Sequence, residues 1–192
     1  LKKKQKKKRK HIQKPLLKRE LQKRLMLKVI LQEQSGCPIA DQSRFFGGVR
    51  DLAKKVKDNG AELYLYETWG YKEGYSKLVT HGGSTKIMEM KLRAAYTAIA
   101  EEVGAEVILA GVAMLDIHTQ GKIEVYKDDL FHPSATGSAL VAYTIFAKVF
   151  PEWGIAGAQQ FGVHAKITML HESPYLKATL TSTDYQTLVK IG

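Results

Sequence analysis

The sequence predicts an α/β protein: an open parallel sheet flanked by helices, in three layers. Three observations carry that prediction. Apolar runs of strand length occupy Leu27 to Glu33, Ala61 to Thr68 and Glu106 to Val112. Two stretches with apolar residues at helical spacing lie between them. Both stretches are long enough to cross a sheet, and strands joined in this way pair in parallel with right-handed crossovers.

Taken in order, the chain begins with charge. It has 192 residues, 30 Lys/Arg and 19 Asp/Glu, for a net charge of +11. Residues 1–28 hold 14 of the basic residues and one acid, Glu20, so the remainder carries 16 basic against 18 acidic residues. The basicity therefore belongs to the terminal segment. Residues 2–10 form a self-repelling Lys/Arg block expected to stay disordered. After Pro15, Leu17, Leu21 and Leu25 recur every four positions and predict a short amphipathic helix. The expected organisation is a basic tail over 1–26 and one α/β domain over 27–192, with an ordinary 44% apolar and 26% charged composition.

Within the domain, Leu27 to Glu33 reads as a buried strand, followed by a loop at Gly36, Pro38 and Asp41. Phe45, Val49, Leu52, Ala53 and Val56 line one face of a helix that stops at Asn59-Gly60. Ala61 to Thr68 is the second strand and 69–83 a glycine-bearing loop. A long helix from Ser84 to Val103, closed by Gly104, packs through Ile87, Met90 (or Met88), Leu92, Ala95, Ile99 and Val103. Glu106 to Val112 is the third strand, and 114–128 a loop with a short strand at Ile123 to Tyr126. His132 precedes Pro133 and is held extended. Ser134 then caps a helix with Ala139, Leu140, Ala142, Tyr143 and Phe146 on its apolar face, ending at Pro151. Beyond Gly154 the pattern weakens, with a last helix expected at Asp184 to Ile191.

Several classes of protein find no support in the chain. No run of about 18 apolar residues offers a membrane span. Cys37 is the only cysteine, so no intrachain disulfide forms. No P-loop, dinucleotide fingerprint or Cys/His zinc spacing occurs. No metal or organic cofactor is implied.

Ligands of open α/β sheets bind beyond the carboxyl ends of the strands. Those ends deliver Gln32, Glu33, Gln34 and Ser35; Glu67, Thr68 and Trp69; and Ala113 and Met114. The turn holding Asp129 and His132 is expected on the same rim. A carboxylate three residues before an imidazole, next to a helix start, suits an acid that orients a general base. Asp128 competes with Asp129, and the three-residue spacing favours Asp129. His81, His118, His164 and His171 lack a partner pattern and read as surface or loop residues.

The run Val125 to Gly137, with Asp129-x-x-His132-Pro133-Ser134-x-x-Gly137, resembles the last block of the SGNH (GDSL-like) hydrolases. Val29 to Gly36 (Val-Ile-Leu-Gln-Glu-Gln-Ser-Gly), Leu65 to Tyr71 (Leu-Tyr-Glu-Thr-Trp-Gly-Tyr) and Gly104 to Ala113 point to a mainly bacterial branch of the same superfamily. Together these stretches cover about residues 28–150. The resemblance implies a flavodoxin-like (SGNH-like) fold and serine ester hydrolysis. His132 would take the nucleophile's proton and return it to the leaving alcohol, with Asp129 fixing its tautomer. Gln32 or Gln34 would donate to the oxyanion where the family uses an asparagine, and Trp69 would line the substrate pocket. Expected substrates are small acyl esters or acetylated carbohydrates.

One departure stands out: the family's first block, a strand ending in Gly-Asp-Ser or Gly-Asn-Ser with the nucleophile, is absent. The sheet is thus expected without its first strand. The strand at 27–33 would then present an open edge prone to self-association. Ser35, between a strand end and Gly36, is the candidate nucleophile in its place. The alternatives are a catalytically inactive SGNH-like binding module and a nucleic-acid binder acting through the basic tail.

Overall fold

Three parallel strands, β1 (Lys28–Leu31), β2 (Glu62–Glu67) and β3 (Glu106–Leu109), form one sheet in the order β1-β2-β3. The register sets Val29 beside Leu63 and Leu65 beside Val107. The structure, a computed structural model, describes residues 27–151. The basic tail, the short helix expected in it, His164, His171 and the helix expected at Asp184 to Ile191 lie outside the described residues.

A short helix, α1 (Cys37–Ala40), follows β1 where a loop is expected. The crossover to β2 is α2 (Gln42–Asp58), whose first turn is capped by the Asp41 carboxylate accepting the Arg44 N–H. A 3-10 helix (Ser76–His81) then interrupts the loop expected over 69–83. The second crossover, α3 (Thr85–Val103), starts at the Ser84 cap and ends at Gly104 in the left-handed region. Met88, Leu92, Ala95, Ile99 and Val103 turn inward, whereas Ile87 and Met90 face solvent.

The third strand is shorter than expected. It ends at Leu109, and α4 (Ala110–Gln120) begins at once, over residues the sequence reading divided between strand and loop. Ala110, Ala113, Met114 and Ile117 are buried, which is helical spacing inside an apolar run that periodicity alone does not separate from a strand. The strand expected at Ile123 to Tyr126 is also missing; Tyr126 makes only an isolated antiparallel bridge to Pro133. The last described helix, α5 (Ala135–Val149), is capped by Ser134, whose Oγ accepts the Gly137 N–H at 3.0 Å.

The three expected layers are present. On one face, Val29, Leu31, Leu63 and Leu65 pack against Phe45, Val49 and Ala53 of α2 and Ala95, Tyr96 and Ile99 of α3. On the other, Tyr64 and Ile108 meet Ile145 and Val149 of α5. There α4 packs Met114 and Ile117 against Leu140, Tyr143 and Phe146. Parallel sheets bury both faces because their crossover helices cover them. Here α5 begins at the carboxyl rim of the strands, which brings the turn before it to that rim.

Candidate active site

The turn before α5 is built around Asp129. Its Oδ1 accepts the backbone N–H groups of Phe131 (3.1 Å) and His132 (2.9 Å). Its Oδ2 lies 2.8 Å from His132 Nδ1. A ring nitrogen facing a carboxylate carries the proton, so Nε2 is left with its lone pair and no hydrogen bond among the described residues. The N–H of His132, then its side chain, hold the Asp129 carboxyl down to about 2. Both side chains are exposed. This arrangement can accept a proton at Nε2 while Asp129 stabilises the resulting imidazolium.

The turn is strained and firmly held. Leu130 has φ 66°, a left-handed conformation that costs a branched residue about 1–2 kcal/mol. Three hydrogen bonds from the segment after β2 secure it. Lys72 N–H donates to the Leu130 carbonyl, Trp69 Nε1–H to the Phe131 carbonyl, and Tyr126 hydroxyl to the Gly70 carbonyl, each at 2.8 Å. A Lys72–Glu124 ion pair adds to them.

An aromatic group connects this turn to the exit of β1. Phe131 stacks on Tyr75 at 5.2 Å and meets Tyr71 edge-on at 5.9 Å. The Tyr71 phenol is buried, which raises its proton affinity, and the neighbouring Gln34 and Ser35 side chains partly offset that rise. The two candidate glutamines therefore differ. Gln34 Oε1 accepts the Gly36 N–H at 3.3 Å, so this amide serves the loop. Gln32 is exposed and makes no hydrogen bond among the described residues. Strand alternation puts it on the same side as Lys28 and Ile30, the side that carries α5.

Ser35 sits half-buried in the turn after β1, beside Tyr71. Among the described residues, no serine hydroxyl is hydrogen-bonded to His132. The structure thus brings Asp129 and His132 together and leaves Gln34 and Ser35 beside Tyr71, but does not join Ser35 to His132. Trp69 is half-buried and packed against α4 and α5, its only donor spent on the Phe131 carbonyl.

Two histidines are not the loop residues the sequence suggests. His81 is 8% exposed, edge-on to Tyr71, and so close to the β1 exit that a Cβ on Gly36 would sit 2.8 Å from its Nε2. Burial, then the Lys91 and Lys77 ammoniums, lower its affinity for a proton. His118 is on α4, with Nε2 3.2 Å from Glu73 Oε2. Burial would raise the Glu73 carboxyl. Hydrogen bonds from Thr85 and His118 outweigh it and hold the group at about 2.

Sequence reasoning also passed over Tyr71, Phe131 and a buried carboxyl pair, Glu67 and Glu89. Glu89 was within reach, because it lies between the inward positions Met88 and Leu92 of α3. Its partner Glu67 is 22 positions earlier, at the end of β2, and no local spacing links them.

No family model matches this chain, and no curated protein does. Two solved structures do. A protein of Slackia heliotrinireducens described as a candidate SGNH hydrolase is 31% identical, with a TM-score of 0.53 over 62% of this chain and 63% of its own. A DUF4886 family protein of Bacteroides uniformis is 16% identical, with a TM-score of 0.62 over 85% of this chain and 60% of its own. The chain thus spans about three-fifths of the length of each. Its fold is SGNH-like: a parallel sheet between helices, with three strands among the described residues.

Proposed function

We propose that this chain carries the acid–base half of an SGNH-type serine ester hydrolase. The observation that carries the reading is the Asp129–His132 pair, held at the carboxyl rim of a parallel sheet with Nε2 unengaged. In this reading His132 takes the proton of a serine hydroxyl and delivers it to the departing alkoxide. Asp129 keeps the proton of the neutral ring on Nδ1. Gln32, rather than Gln34, donates its amide to the developing oxyanion, a contribution of about 3 kcal/mol to the transition state. The substrate class is a small acyl ester, acetylated sugars included.

The serine must come to Nε2 from outside the described residues or from another chain, because no serine among the described residues is hydrogen-bonded to His132. The open edge of β1, beside Gln32, is where a further parallel strand would deliver it. Hydrolysis of a short-chain p-nitrophenyl ester by the full chain, together with fluorophosphonate labelling, tests the proposal. Labelling and turnover that both collapse in His132→Ala support it; turnover unchanged in that variant refutes it. A second reading has its own observation, that no serine among the described residues is hydrogen-bonded to His132: an inactive SGNH-like module that binds ligand at the same rim. Saturable binding of an acetylated sugar, with neither labelling nor turnover, would select it.

A further inference from the structure

The exit of β2 is sealed between two helices at contact distance. A Cβ on Gly70 would lie 2.5 Å from the Thr85 carbonyl oxygen and 3.2 Å from the Glu89 nitrogen, both of α3. A Cβ on Gly111, in the first turn of α4, would lie 2.4 Å from the Thr68 carbonyl oxygen and 3.1 Å from Glu67 Oε1. Only glycine permits either approach. Glu67 and Glu89 are shut in between, 0% and 2% exposed.

Neither Glu67 oxygen nor Glu89 Oε1 has a hydrogen-bond partner if both groups are drawn as carboxylates. Two buried carboxylates in contact cannot both ionise, and a proton between them satisfies an oxygen on each. The surroundings decide which of them holds it. From α3, Arg93 Nε stands 3.8 Å from Glu89 Oε1 and favours charge there. Tyr96, also of α3, faces Glu67 as a neutral phenol that accepts the Glu33 N–H from the β1 exit. From α4 the neighbour is the Gly111 backbone. Arg93 is the cation whose charge opposes this at Glu67, but burial followed by Glu89 pushes its carboxyl well above the ordinary range.

We propose that Glu67 and Glu89 share one proton, Glu67 as acid and Glu89 as carboxylate, and that this pair positions the segment that holds the His132 turn. The connection is short. Glu67 is two residues from Trp69, whose indole holds the Phe131 carbonyl, and three from Gly70, whose carbonyl is held by Tyr126. Loss of the shared proton sets two like charges against each other between β2 and α3, and the strain passes directly into these bonds. The inference concerns the placement of His132 and does not depend on ester hydrolysis.

The test compares wild-type and Glu67→Gln full-length protein across pH. The unfolded chain releases the Glu67 proton near the ordinary carboxyl value, whereas the folded chain keeps it. The wild-type unfolding constant should therefore rise up to about tenfold per pH unit from mildly acidic pH upward. Glu67→Gln keeps a donor to Glu89 and should lose that slope. In the alkaline range, the His132 ring nitrogens read by NMR should shift from a single tautomer to a mixture in wild type and stay fixed in the variant. Equal pH slopes in the two proteins overturn the shared proton. Different slopes with a pH-invariant His132 spectrum overturn the positioning role. Should Glu67→Gln fail to fold, Glu89→Gln read in the same two ways decides: burial alone then holds the Glu67 proton, so the slope must end at lower pH than in wild type, and a slope that ends at the same pH overturns the shared proton.

Discussion

At the scale of single residues, the candidate site rests on how Asp129 spends its oxygens. One oxygen shapes the turn through two backbone N–H groups and the other orients the imidazole, so a single side chain sets both backbone and tautomer. Asp129→Asn presents an amide that can offer N–H to Nδ1 and stabilise the opposite tautomer. In an active preparation, ester hydrolysis at neutral pH should fall on the order of 10⁴-fold, with the fold retained. Acid acts on the same group. The folded Asp129 carboxyl is depressed to about 2, so its support of the turn is full above the unfolded value near 4 and is lost as pH falls toward 2. The His132 ring signals should follow that window, and unchanged signals at pH 2 would contradict it. Trp69→Phe tests the other support: it removes the donor to the Phe131 carbonyl and should cost about 1–2 kcal/mol in urea unfolding, with faster amide exchange over 130–132. The Asp129–His132 pair was legible because it is local, an acid and an imidazole three residues apart ahead of a proline. The engagement of Trp69 with Phe131, the burial of His81 beneath Gly36 and the Glu67–Glu89 pair are contacts across tens of residues. No spacing rule reports those.

At the scale of elements, the crossovers were legible and the short pieces were not. α2 and α3 announce themselves by long apolar periods and by caps at Asp41, Ser84 and Gly104. The boundary between β3 and α4 has no such punctuation, because Leu109-Ala110-Gly111-Val112-Ala113 is apolar on either interpretation. What ends the strand is tertiary: Gly111 must approach Thr68 more closely than any side chain allows. Two glycine substitutions separate this packing role from simple chain flexibility. Gly111→Ala forces the Thr68 backbone or α4 to move and should destabilise by about 1–3 kcal/mol. Gly48→Ala, in the body of α2 with nothing within 4 Å of the added carbon, should stabilise by roughly 0.5–1 kcal/mol through helix propensity. Opposite signs in urea denaturation are required; stabilisation by both would mean that chain flexibility, not the Thr68 contact, dominates at Gly111.

At the scale of the whole molecule, the sheet is unevenly protected. Val29 and Leu31 are packed under α2 and α3, whereas α5 covers β2 and β3 on the opposite face and leaves Ile30 39% exposed. Beyond β1, no strand among the described residues pairs with its outer edge. A parallel strand with one face half-open and one edge unpaired offers both unsatisfied backbone groups and apolar surface. The edge therefore has two fates: it takes up a further strand, as the hydrolase reading requires, or it pairs with another copy. Ile30→Lys tests the second fate. A charge there leaves the α2/α3 core untouched and puts a desolvation cost on any strand or copy that closes over this face. Sedimentation of wild type should show an average mass that rises with concentration, and Ile30→Lys should shift that rise to concentrations at least tenfold higher. A wild type that stays monomeric throughout would mean that residues outside 27–151 already cover the edge, and self-association would then be withdrawn as a property of this fold.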